Sequence, residues 1–421
     1  MLLIIFLVLI AIGLPIAFAF GIAGIFYILT FTHFPAQLVT TVSFSQLDSF
    51  SLMAVPFFVF AGDIMRYGGV SKRLISFAKS MFKTSTSAMG TITIVGSAFF
   101  GAISGAAVAT VAAIGGIMMP EMKKIGYKPE YSAALASAAG YLGILIPPSI
   151  PLVVYGVTAN QSIGDLFIAG IIPGLMATVG MIILNRFMHK KYLVPVENQQ
   201  ENDKISLTKG FFQAFPGLLM PVIILGGIYG GIFTATEAAA VAIVYGLIVS
   251  LFVYKEFKLK DLLKIASESA ITSAKILIII ALAGFFGRLM TLVHLPAEIS
   301  NAVLGISSNK YVLLLIIAIL FLFLGMVMET SCAILIVTPI LMPMAMQAGI
   351  NPIHLGLIIV FDLAIGLITP PMAVNLFVGS QISGVPIAKM IKPIIPFVLV
   401  STVLLMAVVY IPQISLFLLG D

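Results

Sequence analysis

Residues 143–149 read Gly143-Ile144-Leu145-Ile146-Pro147-Pro148-Ser149, and residues 366–372 read Gly366-Leu367-Ile368-Thr369-Pro370-Pro371-Met372. Both stretches interrupt long apolar runs. A Pro-Pro pair removes two amide donors and pushes the residue before each proline out of the α region. Helices over 130–157 and 353–381 are therefore expected to unwind at these pairs. The stretches lie 223 positions apart, and the same shift superimposes Pro120 on Pro343, Gly126 on Gly349, Pro129 on Pro352, Gly156 on Gly379 and Pro173 on Pro396. With Gly143, Pro147 and Pro148 and their partners this makes eight identities, where chance predicts about 0.6 Gly or Pro matches over such a window. The chain contains an internal repeat.

Composition sets the solvent. Of 421 residues, 61% are hydrophobic and 9% charged, and the mean hydropathy is +1.18. That is too little polar surface to coat a water-soluble globule. Runs long enough to cross about 30 Å of hydrocarbon recur along the whole chain, predicting segments near 2–12, 16–31, 50–66, 88–120, 130–157, 166–187, 211–231, 234–253, 262–291, 311–345, 353–381 and 393–419. The first lacks a basic leader and a small-residue cleavage site, so it is expected to be retained. The runs 88–120 and 311–345 are too long for one span and carry Gly, Ser or Glu near the middle, the pattern of a re-entrant hairpin. Cys332 is the sole cysteine and the four histidines share no ligand spacing, which argues against a disulfide framework or a His/Cys metal centre.

Basic residues report orientation. Loop 121–130 holds Lys123, Lys124 and Lys128, whereas its repeat partner 344–353 has no Lys or Arg; loop 156–169 has none, whereas 379–392 holds Lys389 and Lys392. That alternation is expected of copies inserted with opposite topology. Adding Arg66/Lys72/Arg73, Arg186/Lys190/Lys191/Lys204/Lys209 and Lys255/Lys258/Lys260/Lys264 gives cytoplasmic basic loops and both termini outside. The +6 net charge thus sits in short connectors, not on a face for nucleic acid. The polar linker 194–209 reads as a solvated tether between halves.

Broken helices in inverted repeats expose carbonyls for cations and half-helix N-termini for anions near the bilayer midplane. The tip Ile103-Ser104-Gly105-Ala106 is expected to face the first break, and Met328-Glu329-Thr330-Ser331 the second. Sodium takes about five or six oxygens, which unwound backbone supplies without buried carboxylates. One sodium site is expected at Ser104, Gly105, Gly143, Ile146 and Pro148, and another at Glu329, Thr330, Gly366, Thr369 and Pro371. Glu329 reads as a cation ligand, a contact to a substrate hydroxyl or a helix cap, and Asp362 as a residue that orients the second break. Glu237 follows Thr234 at capping-box spacing and reads as structural. Walker loops, HExxH and GxSxG are absent from the sequence, so ATP hydrolysis and hydrolase chemistry have no support. No cofactor is expected beyond coupling sodium ions.

At these residues the chain resembles the large membrane subunit of tripartite ATP-independent periplasmic (TRAP) transporters, the DctM-like family, over essentially its full length. The resemblance rests on Val55-Pro56-Phe57-Phe58-Val59-Phe60-Ala61-Gly62, on Ser104–Gly116 (SGAAVATVAAIGG), on Gly143–Gly156 (GILIPPSIPLVVYG) and on Gly230–Ala240 (GGIFTATEAAA). Met328–Pro343 (METSCAILIVTPILMP) and Gly366–Phe377 (GLITPPMAVNLF) complete it. It implies an all-α polytopic protein with two inverted repeats, two re-entrant hairpins and two broken helices, working as an elevator in a bacterial inner membrane. Expected units are 1–87 (scaffold and arm), 88–165 (transport half 1), 166–310 (scaffold, linker and second arm), 311–385 (transport half 2) and 386–421 (a C-terminal helix). Implied partners are membrane lipid, a small four-helix DctQ-like membrane subunit, expected as a separate polypeptide, and a periplasmic DctP-like binding protein. That protein would deliver an organic anion: a carboxylate, dicarboxylate or sialic acid.

Expected substrate contacts are Ser104, Thr110, Ser149, Thr330, Ser331 and Asn375. Many relatives have serines where this chain has Ala106 and Ala107, and Asp where it has Glu329, so fewer hydroxyls meet the ligand. Thr110 resembles the dicarboxylate-type form, which leans the reading to a small carboxylate. Each tenfold sodium gradient supplies about 1.4 kcal/mol per ion, and each 100 mV about 2.3 kcal/mol per net charge moved. Two sodium ions with a dianion therefore gain nothing from the membrane potential. The competing readings are a stand-alone sodium/divalent-anion symporter or antiporter without a binding protein and, from another class, an intramembrane enzyme or structural assembly subunit.

Overall fold

A computed structural model describes residues 1–82, 88–194, 206–307 and 309–420. Within the expected linker, 195–205 lie outside the described residues, Lys204 among them. The first half comprises α1 (Leu2–Ala11), α2 (Ile16–Phe31), α3 (Gln37–Leu47), α4 (Ala54–Tyr67), α5 (Val70–Met81), α6 (Ala88–Ser104), α7 (Ala107–Thr110), α8 (Gly116–Lys124), α9 (Pro129–Gly140), α10 (Leu142–Leu145), α11 (Ile150–Ala159) and α12 (Ile163–Met188). The second comprises α13 (Leu207–Tyr229), α14 (Ala235–Ile248), α15 (Leu262–Leu292), α16 (Leu295–Ile306), α17 (Lys310–Val327), α18 (Thr330–Gln347), α19 (Pro352–Gly366), α20 (Val374–Ser383), α21 (Ile387–Tyr410) and α22 (Gln413–Leu416). Short π-helical stretches follow α7 and α14. Among the described residues nine helices are long and apolar enough to cross a membrane. Their outward side chains are large and apolar, as Phe187, Val403 and Leu263 show, which suits a lipid solvent.

The 223-position shift holds at the level of helix ends. α7 begins at Ala107 and α8 ends at Lys124, while α18 runs from Thr330 to Gln347, displaced by 223 at both ends. α6 and α17 end in register, at Ser104 and Val327. The repeated glycines and prolines have common local causes. Gly126 and Gly349 have positive φ, +92° and +66°, and close the turns after α8 and α18, where a side chain would be strained. Pro129 and Pro352 occupy the first turn of α9 and α19, where a missing N–H costs nothing and φ is pre-set. Both Pro-Pro bonds are cis.

Close packing explains Gly143 and Gly366. α6 packs on α10, and a Cβ on Gly101 would sit 2.7 Å from Gly143 Cα; α17 packs on α19, and a Cβ on Gly325 would sit 3.1 Å from Gly366 Cα. Each hairpin's first helix thus crosses a broken helix backbone to backbone. Helices α6–α12 and α17–α22 pack largely on one another, whereas α4 with α14, α5 with α13, and α15 with α2, α3 and α4 form a second group. α12 sits with the first group, against α6, α10 and α21, although the sequence reading placed 166–187 with the scaffold. Its C-terminal extension is tied there too: Lys128 N donates to Tyr192 O at 2.8 Å and Val194 N to Gly126 O at 2.8 Å.

Helices α3, α5 and α16 went unpredicted because they are not spans. α5 is amphipathic, burying Val70, Leu74, Ile75 and Ala78 while Lys72 and Lys79 lie on the polar side, a pattern of i, i+4, i+5 and i+8. Glu237 is a structural cap: its carboxylate accepts from Thr234 N (2.8 Å), and Glu237 N donates to Thr234 Oγ1 (3.3 Å).

A methyl group at the second crossing should be intolerable. Gly366→Ala is expected to destabilise by about 1–3 kcal/mol, the cost of overpacking, because its Cβ would overlap the Gly325 backbone. Gly226→Ala, at a helical position with nothing within 4 Å, should show no loss; thermal unfolding in detergent compares the two.

Candidate functional site

The first site grows from the end of α6. Gly105, with φ +62°, turns the chain between α6 and α7, and its carbonyl accepts from Ile150 N at 3.1 Å. The hairpin tip therefore caps the start of α11, just past the first break. Ser104 Oγ and Thr110 Oγ1 are 3.2 Å apart, and Thr110 Oγ1 donates to Ala106 O at 2.9 Å. A Cβ on Gly143 would collide with Thr110 Oγ1 and lie 2.8 Å from Ala106 O, so the bare glycine lets the tip and break touch. Ser149 is the N-cap of α11, accepting from Leu152 N at 3.4 Å while donating to Ile144 O at 2.5 Å. Its hydroxyl bridges the break. Ser104, Thr110, Gly105, Gly143 and Ser149 form one buried cluster with the Ile146-Pro147-Pro148 turn.

The second site is built alike but capped differently. Met372 N, after the break, donates to Met326 O of the hairpin at 3.1 Å, and Asn375 N donates to Leu367 O at 3.0 Å. Thr369 N donates to Gly366 O (3.0 Å) and its hydroxyl to Ile365 O (2.7 Å). Glu329 is the N-cap of α18: its carboxylate accepts from Cys332 N and from Ser331 Oγ, both at 3.1 Å. Of the readings open for Glu329, the cap is the one made in this structure, and Ser331 is committed to it. Thr330 is buried beside it.

Asn375 stands apart from the Glu329 tip. Its Nδ2 donates to Ser137 O on α9 at 3.2 Å, so it joins the second broken helix to the first half. Its Oδ1 is buried without a hydrogen-bond partner, as are Ser97 Oγ, Ser137 Oγ, Thr338 Oγ1 and both carboxylate oxygens of Asp362. Asp362 hydrogen-bonds nothing by its side chain and orients the break by no such bond. These oxygens lie on α6, α9, α18, α19 and α20, and among the described residues Ser43 Oγ on α3, Ser300 Oγ on α16 and His354 Nε2 on α19 are likewise buried without partners. Buried polar atoms without partners are costly. Among the described residues no group of His, Cys, Asp and Glu has the make-up of a tight metal centre. The oxygens present around the two breaks are hydroxyls, amide oxygens, backbone carbonyls and the carboxylates of Glu329 and Asp362.

Sequence reasoning missed four residues. Gly101 and Gly325 pair with the predicted glycines, but nothing in a run of apolar residues marks a crossing. Ser137 and Gly62 lie outside both motifs; a Cβ on Gly62 would sit 3.2 Å from Ser104 Cα, so α4 touches the first tip through bare backbone.

A family model described as the tripartite ATP-independent periplasmic transporter, DctM component, matches residues 3–414. The isethionate TRAP transporter permease protein DctMQ of Oleidesulfovibrio alaskensis is 41% identical over 415 residues, covering 99% of this chain and 65% of that protein, so the chain spans about two thirds of it. The C4-dicarboxylate TRAP transporter large permease protein DctM of Pseudomonas aeruginosa is 39% identical over 397 residues (94% and 92% covered). The sialic acid large permease SiaM of Vibrio cholerae is 34% identical over 409 (96% and 95%). Among solved structures, the YdaH transporter of Alcanivorax borkumensis superimposes with a TM-score of 0.64 at 16% identity (91% and 87% covered). MtrF of Neisseria gonorrhoeae, from a class of antimetabolite efflux pumps, gives 0.65 at 13% (89% and 83%). At such identity these two structures speak for the fold alone.

Glu329→Ala should cost about 1 kcal/mol by uncapping α18, read as a lower unfolding temperature of the purified protein. Glu329→Asp, which keeps a cap, should retain most of that stability.

Proposed function

Because the chain belongs to the DctM component family of TRAP transporters, whose members are permeases and not enzymes, we propose that it is the large membrane component of a sodium-coupled importer of a small organic anion. The observation that carries the reading is the doubled arrangement, in which each hairpin packs on a broken helix through a glycine pair, Gly101 on Gly143 and Gly325 on Gly366, the two broken-helix glycines lying 223 residues apart. Sodium is bound at the two breaks: at the first by Ser104, Gly105, Gly143, Ile146 and Pro148, at the second by Thr330, Gly366, Thr369 and Pro371, with Glu329 holding the tip. Carbonyls freed by each Pro-Pro pair provide the remaining oxygens.

The substrate anion lies between the tips, met by Ser104, Thr110, Ser149, Thr330 and the far-side Asn375, while Ser331, whose hydroxyl donates to Glu329, holds the second tip. Half-helix N-termini favour negative charge. Glu329 already occupies that of α18, which leaves α11 and α20 to face the guest. Relatives are named for isethionate, a sulfonate, and for C4-dicarboxylates and sialic acid, so the class is a small organic anion, with a carboxylate favoured by Thr110.

Movement follows an elevator scheme in which α6–α12 and α17–α22 shift against the second group. Every hydrogen bond and ion pair named above lies within one group. The Lys79–Glu121 ion pair (3.2 Å) joins α5 to α8 across the seam, and the Gly62–Ser104 approach there is van der Waals only. A DctQ-like small subunit and a periplasmic binding protein complete the carrier in the inner membrane, with the basic loops cytoplasmic.

Two measurements test this. In proteoliposomes, Ser104→Ala and Thr369→Ala should each raise the sodium concentration for half-maximal uptake by about fivefold, the loss of one ligating hydroxyl at about 1 kcal/mol. Unchanged sodium dependence in both would refute the sites. Uptake should require the cognate binding protein and small subunit; transport of free substrate by this chain alone would point to a stand-alone symporter.

A further inference from the structure

We propose that a cavity at the edge of the second helix group binds the phosphate of an anionic phospholipid. The cavity, of about 520 Å³, lies where α5, the start of α13 and the end of α14 meet, and Lys72, Arg73, Ser76, Gln213, Tyr254 and Glu256 line it. α13 begins a candidate span at Leu207, and the helix of α14 ends one at Val253, so the cavity sits at a membrane–water boundary. Exposed Phe212, Phe252 and Val253 beside it offer apolar surface for acyl chains.

The cationic groups are held open for an anion. Arg73 lies over the Tyr254 ring, 3.9 Å from its centroid. Its Nη1 donates to Gly69 O (3.0 Å) and to Glu256 Oε1 (2.8 Å). These bonds and the stacking fix the guanidinium plane, and they use one nitrogen. Among the described residues the Nε/Nη2 edge has no hydrogen-bond partner, and that edge takes phosphate oxygens side-on with two parallel bonds. Lys72, one residue earlier, is exposed and makes no ion pair among the described residues. Lys72 and Arg73 against Glu256 leave one net positive charge, and Lys255 and Lys258 flank it in the same connector. A purely structural role for Arg73 accounts for Nη1 and the stacked face but leaves the free edge, Lys72 and the apolar border without a use. A free phosphate would use the same cations and ignore that border.

The test uses the full-length chain in nanodiscs of phosphatidylcholine with a minority of phosphatidylglycerol, and native mass spectrometry of retained lipid. Phosphatidylglycerol should be retained over phosphatidylcholine, and Lys72→Ala should lower that preference by about fivefold, the effect of one lysine near a membrane surface. Lys264→Ala, exposed elsewhere, should leave it unchanged, and Ser76→Glu should abolish it by placing a carboxylate in the cavity. Equal losses for Lys72→Ala and Lys264→Ala would mean diffuse surface charge and overturn the site. Displacement of phosphatidylglycerol by millimolar inorganic phosphate would overturn the lipid assignment. Neither result touches the transport reading, which rests on other residues.

Discussion

Hydrocarbon offers no hydrogen bonds to a polypeptide, and this structure is organised around the two places where the backbone stops satisfying itself. A Pro-Pro pair in a membrane helix strips donors from one turn and frees carbonyls in another. Here each break is answered by the backbone of a hairpin: Ile150 N reaches Gly105 O, and Met372 N reaches Met326 O. Each hairpin thus supplies a partner for one break from its own backbone. The glycines at the crossings follow, since only bare backbones come close enough. The second helix group packs beside this assembly.

The copies diverge where chemistry is expected. At the first tip a hydroxyl pair, Ser104 and Thr110, does the local bonding; at the second a carboxylate, Glu329, does it. A π-helical stretch follows Thr110 in the first hairpin, whereas α18 runs unbroken. A symmetric scaffold with unlike tips can hold an asymmetric guest in one orientation. Asn375 reaches from the second half to Ser137 of the first, and Tyr155 of the first half donates its hydroxyl to Pro352 O of the second.

Most of the fold was legible because membrane spans write themselves in long apolar runs, and because glycine and proline punctuate a repeat in positions with strict backbone demands. Gly126, Pro129 and their partners could be aligned before their roles as turn and first-turn residues were known. The site was legible as two motifs but not as a contact set. Gly101 and Gly325 are silent in sequence, since a glycine in an apolar run is ordinary until another helix lies on it. α5 and α16 were invisible for the opposite reason: they are amphipathic and short, and a search for spans passes over them. The assignment of α12 depended on packing against α6, α10 and α21, which no local pattern encodes.

The paired crossings also bear on how such a chain can change over generations. Gly101 with Gly143, and Gly325 with Gly366, are contacts in which each partner removes the other's freedom to vary. A side chain at either position has to be absorbed by a shift of the opposing helix, and that helix carries the hairpin tip or the break. Drift in these four positions is therefore closed off one step at a time, whereas a tip position such as Ala106, extended and only partly buried, is not bound in this way. A lineage built this way can alter what it carries and still keep the frame that carries it.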